Sequence, residues 1–178
     1  IEKMPAAPMA AAPVQELTTS PALQIIGKMK DTLEGRAIGI LITDGSDGMV
    51  IEKIKKAATD AGAAVKIVAP KVGGAKLADG SMLVANGQLA GTPSVLFDAV
   101  AVILSDEGAA ALSMESAAVD FVRDAFGHLK AIAADKGGQA FLQFANVGLD
   151  AGIVDTNNPN AFIAAAKTRQ WDREKSVR

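Results

Sequence analysis

A change of hydrophobic period near the start of the chain predicts a β-strand, a helix and a second strand in succession. The stretch Arg36–Ile42 is predominantly apolar and ends in the polar, glycine-containing turn Thr43–Gly48, which is typical of a buried strand and its exit loop. From Met49 onward, apolar residues recur every three or four positions, as on one face of a helix. Gly62 ends this helix, and Ala63–Ala69 gives the second strand. The order predicts a right-handed βαβ unit with parallel strands.

The same alternation of strands and helices continues along the chain. It predicts an open, mostly parallel sheet covered by helices on both faces. The further predicted strands are Asp98–Leu104, Leu129–Ala134 and Gly152–Val154, and the further helices are Ala22–Met29, Ser94–Phe97, Glu115–Phe126, Gln139–Asn146 and Pro159–Lys167, with a small hairpin around Asp79 and Gly80.

The two ends of the chain differ in composition from its middle. Residues 1–19 are rich in alanine and proline, which favours a semi-rigid linker arm, with a disordered tail as the alternative. Residues 20–178 form the predicted domain. The domain ends in the basic tail Thr168–Arg178, which we expect to be solvated, with Trp171 anchored on another surface as the alternative. The first residue is Ile1 and no signal-peptide pattern follows, so we expect a piece of a longer chain.

Composition narrows the classes of function. Apolar residues make up 49% of the 178 residues and charged residues 21%, as in an ordinary globular domain. The net charge of −2 argues against a nucleic-acid partner, and no apolar run approaches the ~20 residues of a membrane span. The sequence contains no cysteine, which removes disulfides, thiolate catalysis and zinc–sulfur sites but leaves the cellular compartment open. Tyrosine is also absent, and there is one histidine.

Candidate chemistry belongs to the loops that follow the strands, because ligands of open α/β sheets bind beyond the carboxyl ends of the strands. These loops are 43–48, 105–108 and 135–138. The first is rich in glycine, but it lacks the P-loop lysine, and Asp44 and Asp47 would repel a phosphate. A flavin phosphate is therefore disfavoured at this loop.

Four carboxylates, those of Asp44, Asp47, Asp106 and Asp135, could converge at the same edge of the sheet and bind a metal. Carboxylates at loop ends and helix starts are far more often N-caps, and we predict that role for them. The single histidine, His128, lies at the entry of the fourth strand, whereas the loop at Asp135 lies at its exit. About 20 Å of strand separates the two, which excludes a triad that uses both.

Several segments together resemble a known family. They are GRAIGILITDGSDG, TPSVLFDAVAVILSDEG, HLKAIAADKGG and AGIV…AFIAAAKTRQWDRE, and they resemble the C-terminal domain of large-subunit haem catalases from about Ser20 to Lys175. The resemblance implies an α/β, flavodoxin-like fold: a three-layer α-β-α sandwich whose mostly parallel open sheet has helices on both faces and a small hairpin insertion. This domain is similar to the class I glutamine amidotransferase and intracellular-protease superfamily.

The resemblance also implies that catalytic residues are missing. Active members of the superfamily carry a Cys-His pair on a sharp turn after the fourth strand, and Asp135 and Lys136 stand at the matching positions. The acidic partner of that cysteine matches Met49 or Val50, and the nearest carboxylate is Asp47. We therefore expect no thiol chemistry, no catalytic residue, no metal and no cofactor in this domain.

The resemblance to catalases also implies a function for this domain. Its members decompose hydrogen peroxide in a separate core whose haem is bound by a tyrosine, a residue that this chain lacks. We expect a non-catalytic accessory domain whose partners are the catalase core and the other subunits of a homotetramer, which it would stabilise. A second hypothesis is an ATP-independent chaperone that binds unfolded client proteins. The alternative is a stand-alone α/β hydrolase or flavin-binding protein.

Overall fold

Residues 18–177, which the computed structural model describes, contain eight β-strands and five α-helices. In chain order these are β1 (Ala37–Ile42), α1 (Gly48–Asp60), β2 (Ala64–Ala69), β3 (Ala75–Lys76), β4 (Met82–Leu83), β5 (Gly87–Gln88), β6 (Ala99–Ile103), α2 (Asp106–Leu112), α3 (Ser116–Gly127), β7 (Ile132–Ala134), α4 (Lys136–Phe144), β8 (Ile153–Asp155) and α5 (Pro159–Ala166). Short 3₁₀ turns lie at Leu89–Gly91, Ser94–Leu96 and Trp171–Ser176.

Six of the strands form one parallel sheet in the order β5-β2-β1-β6-β7-β8. Central β1 pairs with both neighbours, so that Ile40 lies beside Ile67 of β2 and Ala101 of β6. The remaining two strands, β3 and β4, form the small antiparallel hairpin. The predicted parallel sheet, its βαβ start and the hairpin insertion are confirmed.

Alternate residues of the strands enter different hydrophobic cores, because successive side chains of a strand point to opposite faces. Leu41, Val100 and Val102 pack with residues of α2, α3 and α4 on one face. Ile40 and Ala101 pack with residues of α1 and α5 on the other. The molecule is therefore the predicted α-β-α sandwich, and every βα connection brings a helix N-terminus to the carboxyl edge of the sheet.

The predicted helix Ala22–Met29 and the predicted start of the fourth strand are wrong. The predicted helix Ala22–Met29 is absent: the segment forms turns, and its apolar side chains Leu23, Ile26 and Met29 are exposed. A short helix with no surface to pack against is marginal in water, whatever its capping residue. The fourth strand begins at Ile132 rather than Leu129, which has a left-handed φ of 58°. The predicted linker arm, 1–19, lies outside the described residues except for its last two.

Candidate functional site

Asp135 follows β7 and is the N-cap of α4. Its Oδ1 accepts a hydrogen bond of 2.7 Å from the Gly138 N–H, and the Leu104 N–H donates to both carboxylate oxygens, at 3.1 and 3.2 Å. The helix begins at Lys136, so the predicted exit loop 135–138 is in fact a cap and a first helical turn. The backbone of Asp135 is extended and unstrained, with φ −80° and ψ −174°.

Two glycines allow α4 to begin this close to β6. A Cβ on Gly137 would overlap the carbonyl oxygen of Leu104, and one on Gly138 would overlap the carbonyl oxygen of Val102. The N-terminal turn of α4 is thus in backbone contact with the end of β6. This contact keeps the Asp135 carboxylate within reach of the Leu104 amide and removes part of its access to water.

Burial raises the pKa of the Asp135 carboxyl, and the nearby charge of Asp47 raises it further. The hydrogen bonds from Gly138 and Leu104 act in the opposite direction and lower it. Burial outweighs the hydrogen bonds, so the ionised form of Asp135 is less favourable than that of an exposed aspartate.

Asp47 and Ser105 are the caps of α1 and α2, which also start at this edge. Asp47 Oδ1 accepts from the N–H groups of Met49 and Val50, at 2.8 and 3.3 Å, at the start of α1. The Ser105 hydroxyl accepts from the Gly108 N–H at the start of α2 and donates to the Asp44 carbonyl oxygen, both at 3.0 Å. The predicted capping role of Asp47 and Asp135 is confirmed. It is wrong for Asp106, because Ser105 is the N-cap of α2 and Asp106 is the first residue of that helix. It is also wrong for Asp44, whose carboxylate accepts from the Lys76 N–H of β3 rather than from a helix start.

Lys136, which the resemblance aligns with the superfamily histidine, is the first residue of α4. Its exposed Nζ lies 3.7 Å from an Asp106 carboxylate oxygen, a solvent-screened pair. With Asp47, Asp106 and Asp135, it lines an open cleft of about 410 Å³ above β6, β7 and β8. The structure therefore brings Asp47, Asp135 and Lys136 together in one cleft.

Asp44 does not join the other three carboxylates. It accepts the Lys76 N–H at 2.8 Å and pairs with Lys71 Nζ at 3.2 Å, and both interactions lower its pKa. Within residues 18–177, no group of three or more acidic or histidine side chains is arranged to hold a metal ion.

His128 lies at the opposite end of the molecule, as predicted. It is the exposed C-cap of α3, ahead of β7, whereas Asp135 follows β7. The sheet separates the imidazole from the candidate cleft.

A polar network that was not predicted lies at the amino edge of the sheet, around Arg173. Arg173, in the tail expected to be solvated, is buried and forms a bidentate pair with Asp150, with a 2.8 Å Nη2–Oδ1 contact. Its Nη1 donates to the carbonyls of Lys130, at 2.8 Å, and Phe126, at 3.2 Å, and its guanidinium lies 4.1 Å from the centre of the Phe126 ring. The prediction of a solvated tail is therefore wrong for Arg173, and Trp171 beside it is half-buried.

Lys130 is the second buried cation at this edge. Its Nζ donates a 2.7 Å hydrogen bond to the Ser94 carbonyl. Burial, aided by the charge of Arg169, lowers its pKa to about 8, although the charges of Asp98 and Asp124 oppose the shift. No spacing in the sequence marks Lys130 or Arg173, because their partners come from distant segments.

The parallel strand order, the helices on both faces and the capped turns at the carboxyl edge define a flavodoxin-like α/β domain. Solved structures agree: Drosophila melanogaster DJ-1beta superposes with a TM-score of 0.64 at 15% identity, covering 80% of this chain and 95% of that one. At this identity the likeness shows the fold alone. Among residues 18–177, no helix combines the length and hydropathy needed to cross a membrane.

The chain belongs to the family described as the C-terminal domain found in long catalases, whose model matches residues 34–173. Catalase C of Rhizobium meliloti (strain 1021) is 40% identical over the whole of this chain and 26% of its own length. Catalase-2 of Bacillus subtilis (strain 168) is 32% identical over 94% of this chain and 25% of its own. The chain thus spans about a quarter of the length of these relatives.

Proposed function

We propose that this chain is a non-catalytic accessory domain of a haem catalase. The parent protein would convert hydrogen peroxide into water and oxygen in a separate core, and this domain would contact that core and stabilise the homotetramer. The family match over residues 34–173 is the observation that carries the proposal. The relatives are catalases about four times as long as the matched segment.

The chemistry of the carboxyl edge supports a non-catalytic role. Asp135 and Asp47 stand at or near the positions of the superfamily's catalytic residues, and both bind backbone amides at helix starts. Haem does not fit this domain: the sequence has neither tyrosine nor cysteine to bind the iron, and His128 is exposed at a helix end. The alternative roles as hydrolase or flavoprotein have no specific observation in their favour.

The test compares the long polypeptide containing this chain with a version that ends before Ser20. We expect both to evolve oxygen from peroxide, and the truncated tetramer to dissociate at a lower urea concentration in sedimentation experiments. Asp135→Asn in the long polypeptide should leave oxygen evolution unchanged. Oxygen evolution by the isolated chain, or a tenfold loss in Asp135→Asn, would overturn the non-catalytic role. Equal urea sensitivity of the two tetramers would overturn the stabilising role.

Exposed apolar side chains favour a second role, that of an ATP-independent chaperone. Leu23 is 82% exposed, Met114 85% and Phe144 59%. Phe144 also lines a groove of about 450 Å³ between α2 and α4 with Ala110 and Ala140. Exposed apolar side chains of this kind can bind the apolar segments of unfolded chains.

Suppression of client aggregation by the purified chain, without ATP, tests this role. We expect Phe144→Ser to weaken suppression, and Gln143→Ser, at the exposed neighbouring position, to leave it unchanged. Equal suppression by serum albumin, or equal activity of the two variants, would refute a specific chaperone surface.

A further inference from the structure

A second cleft at the carboxyl edge lies over β1 and β2, apart from the one around Asp135. It has a volume of about 290 Å³ and is bounded by the ends of these strands, the segment before the hairpin, and α2. Pro70, Ala75, Ala111 and Leu112 contribute its largely apolar walls. A partly enclosed apolar cleft with a few polar groups is the usual form of a small-molecule site.

A buried hydroxyl without a partner lies between two walls of this cleft. Thr43 is 6% exposed, and its Oγ1 has no hydrogen-bond partner within the part of the chain that the structure describes. The hydroxyl is directed at Gly108, which also lines the cleft, because a Cβ on that glycine would overlap Oγ1. Orphaned buried hydroxyls are uncommon in native proteins, and each calls for an explanation such as a bound water or ion.

The charges at the cleft are predominantly negative. Three carboxylates, those of Asp44, Glu107 and Glu115, face one ammonium group, that of Lys71. Asp44 is already bound to Lys71, whereas neither glutamate forms an ion pair with any residue of 18–177. The charges of Glu107 and Glu115 therefore remain to act on a molecule in the cleft. They repel phosphate and carboxylate groups and attract a cation.

We propose that this cleft binds a small organic cation: a primary ammonium group attached to an apolar body. The apolar body would lie against Ala75, Ala111 and Leu112, with the ammonium group near Glu107 and Glu115. The inference goes beyond the accessory role and does not depend on it, because it rests on residues of this domain alone.

Amide NMR spectra of the chain titrated with benzylammonium test the proposal, with benzyl alcohol and benzoate as neutral and anionic controls. We expect saturable shifts confined to Thr43, Lys71–Ala75 and Gly108–Leu112. The alcohol should bind about threefold more weakly, the factor that a partly exposed ion pair contributes. Benzoate should not bind. An equal response to benzoate, shifts centred on other residues, or no saturable shift with the amine would each overturn the proposal.

Two kinds of variant test the apolar space of the cleft and its charges separately. Ala111 and Ala110 are both exposed on α2, but only Ala111 lines this cleft. We therefore expect Ala111→Phe to abolish amine binding and Ala110→Phe to preserve it. The double variant Glu107→Gln, Glu115→Gln should bind the amine no better than the alcohol. If it keeps the preference for the amine, or if Ala111→Phe still binds it, the proposed site is wrong.

Discussion

At both edges of the sheet, side chains satisfy the free backbone groups of helix ends, but oxygen acceptors do so at one edge and arginines at the other. At the carboxyl edge, helices begin, and side-chain oxygens of Asp47, Ser105 and Asp135 accept their free N–H groups. At the amino edge, helices end, and arginines donate to the free carbonyls: Arg123 to Ala145 after α4, and Arg36 to Lys167 after α5, both at 2.7 Å. This division follows the helix dipole, which favours anions at helix starts and cations at helix ends.

The edges differ in burial, and burial decides the energetic consequence. Asp47 at the carboxyl edge is exposed, so water can replace part of the hydrogen bonding that its carboxylate provides to the start of α1. Lys130 and Arg173 at the amino edge are buried, so a lost partner leaves a charge without solvation. We therefore expect the loss of a polar side chain to destabilise the fold less at the carboxyl edge, where the candidate loops lie, than at the amino edge.

The largest expected effect is at the buried pair. Asp150→Ala leaves the Arg173 guanidinium buried without a carboxylate, with two backbone carbonyls and the Phe126 ring as partners. Removing one member of such a pair costs about 3–5 kcal/mol of the free energy of unfolding. Urea denaturation measures the loss, and Asp172→Ala, an exposed neighbour of Arg173, should change stability by less than about 0.5 kcal/mol. Equal losses in the two variants would contradict the role of burial.

Lys130 gives the amino edge a pH dependence. Its pKa is lowered from 10.5 to about 8, so between these values the unfolded chain binds more protons than the folded one. Stability should therefore rise with pH across this window, by at most about 3 kcal/mol. Lys130→Met should abolish the rise in urea unfolding compared at about pH 7 and about pH 10, whereas exposed Lys66→Met should retain it. If the stability of Lys130→Met still rises with pH, another titrating group is responsible for the rise.

A backbone contact, rather than a charge, should give the largest effect at the carboxyl edge. Gly138→Ala forces α4 away from the Val102 carbonyl, and overpacking of this kind costs about 1–3 kcal/mol. Gly127→Ala, at the last residue of α3, meets no atom within 4 Å and should be neutral or slightly stabilising. Thermal unfolding compares the two variants. Similar unfolding midpoints would mean that α4 can shift away from β6 without a loss of stability.

The smallest effect is expected at Asp135. Asp135→Ala removes an N-cap and should cost about 1 kcal/mol. Asp135→Asn keeps the accepting Oδ1. Because the folded-state pKa of Asp135 is raised, its ionisation weakens the fold as pH rises through that pKa, a loss that asparagine avoids. Urea unfolding at neutral pH should therefore rank Asn at or above the native residue and Ala below it. A reversed order would show that the carboxylate charge stabilises the fold.

The carboxyl edge was largely predictable because its signals are local. The apolar run before Thr43, the helical period after Met49 and the capping residues Ser105 and Asp135 each lie within a few positions of what they determine. The false helix at Ala22–Met29 had the same local signals but no surface to bury against. Capping residues mark where a helix would start, and packing decides whether it forms.

The amino edge was not predictable because its contacts are distant in sequence. Arg173 meets Asp150, 23 residues away, and Lys130, 43 residues away. A basic tail with one tryptophan is typical of a solvated segment, and only the folded chain brings a carboxylate and free carbonyls to Arg173. Edge strand β5 was missed for a different reason: two residues are too few to show a hydrophobic period.

The shortness of the sheet's outermost strands bears on how the domain meets other proteins. β5 has two residues and β8 has three, so neither edge offers a long row of free backbone groups to a neighbouring chain. Short edges of this kind are a protection against strand-by-strand growth into fibrils. We therefore expect a partner to recognise side chains on helices and turns, and its interface with this domain to rest on surface complementarity rather than on a continued sheet.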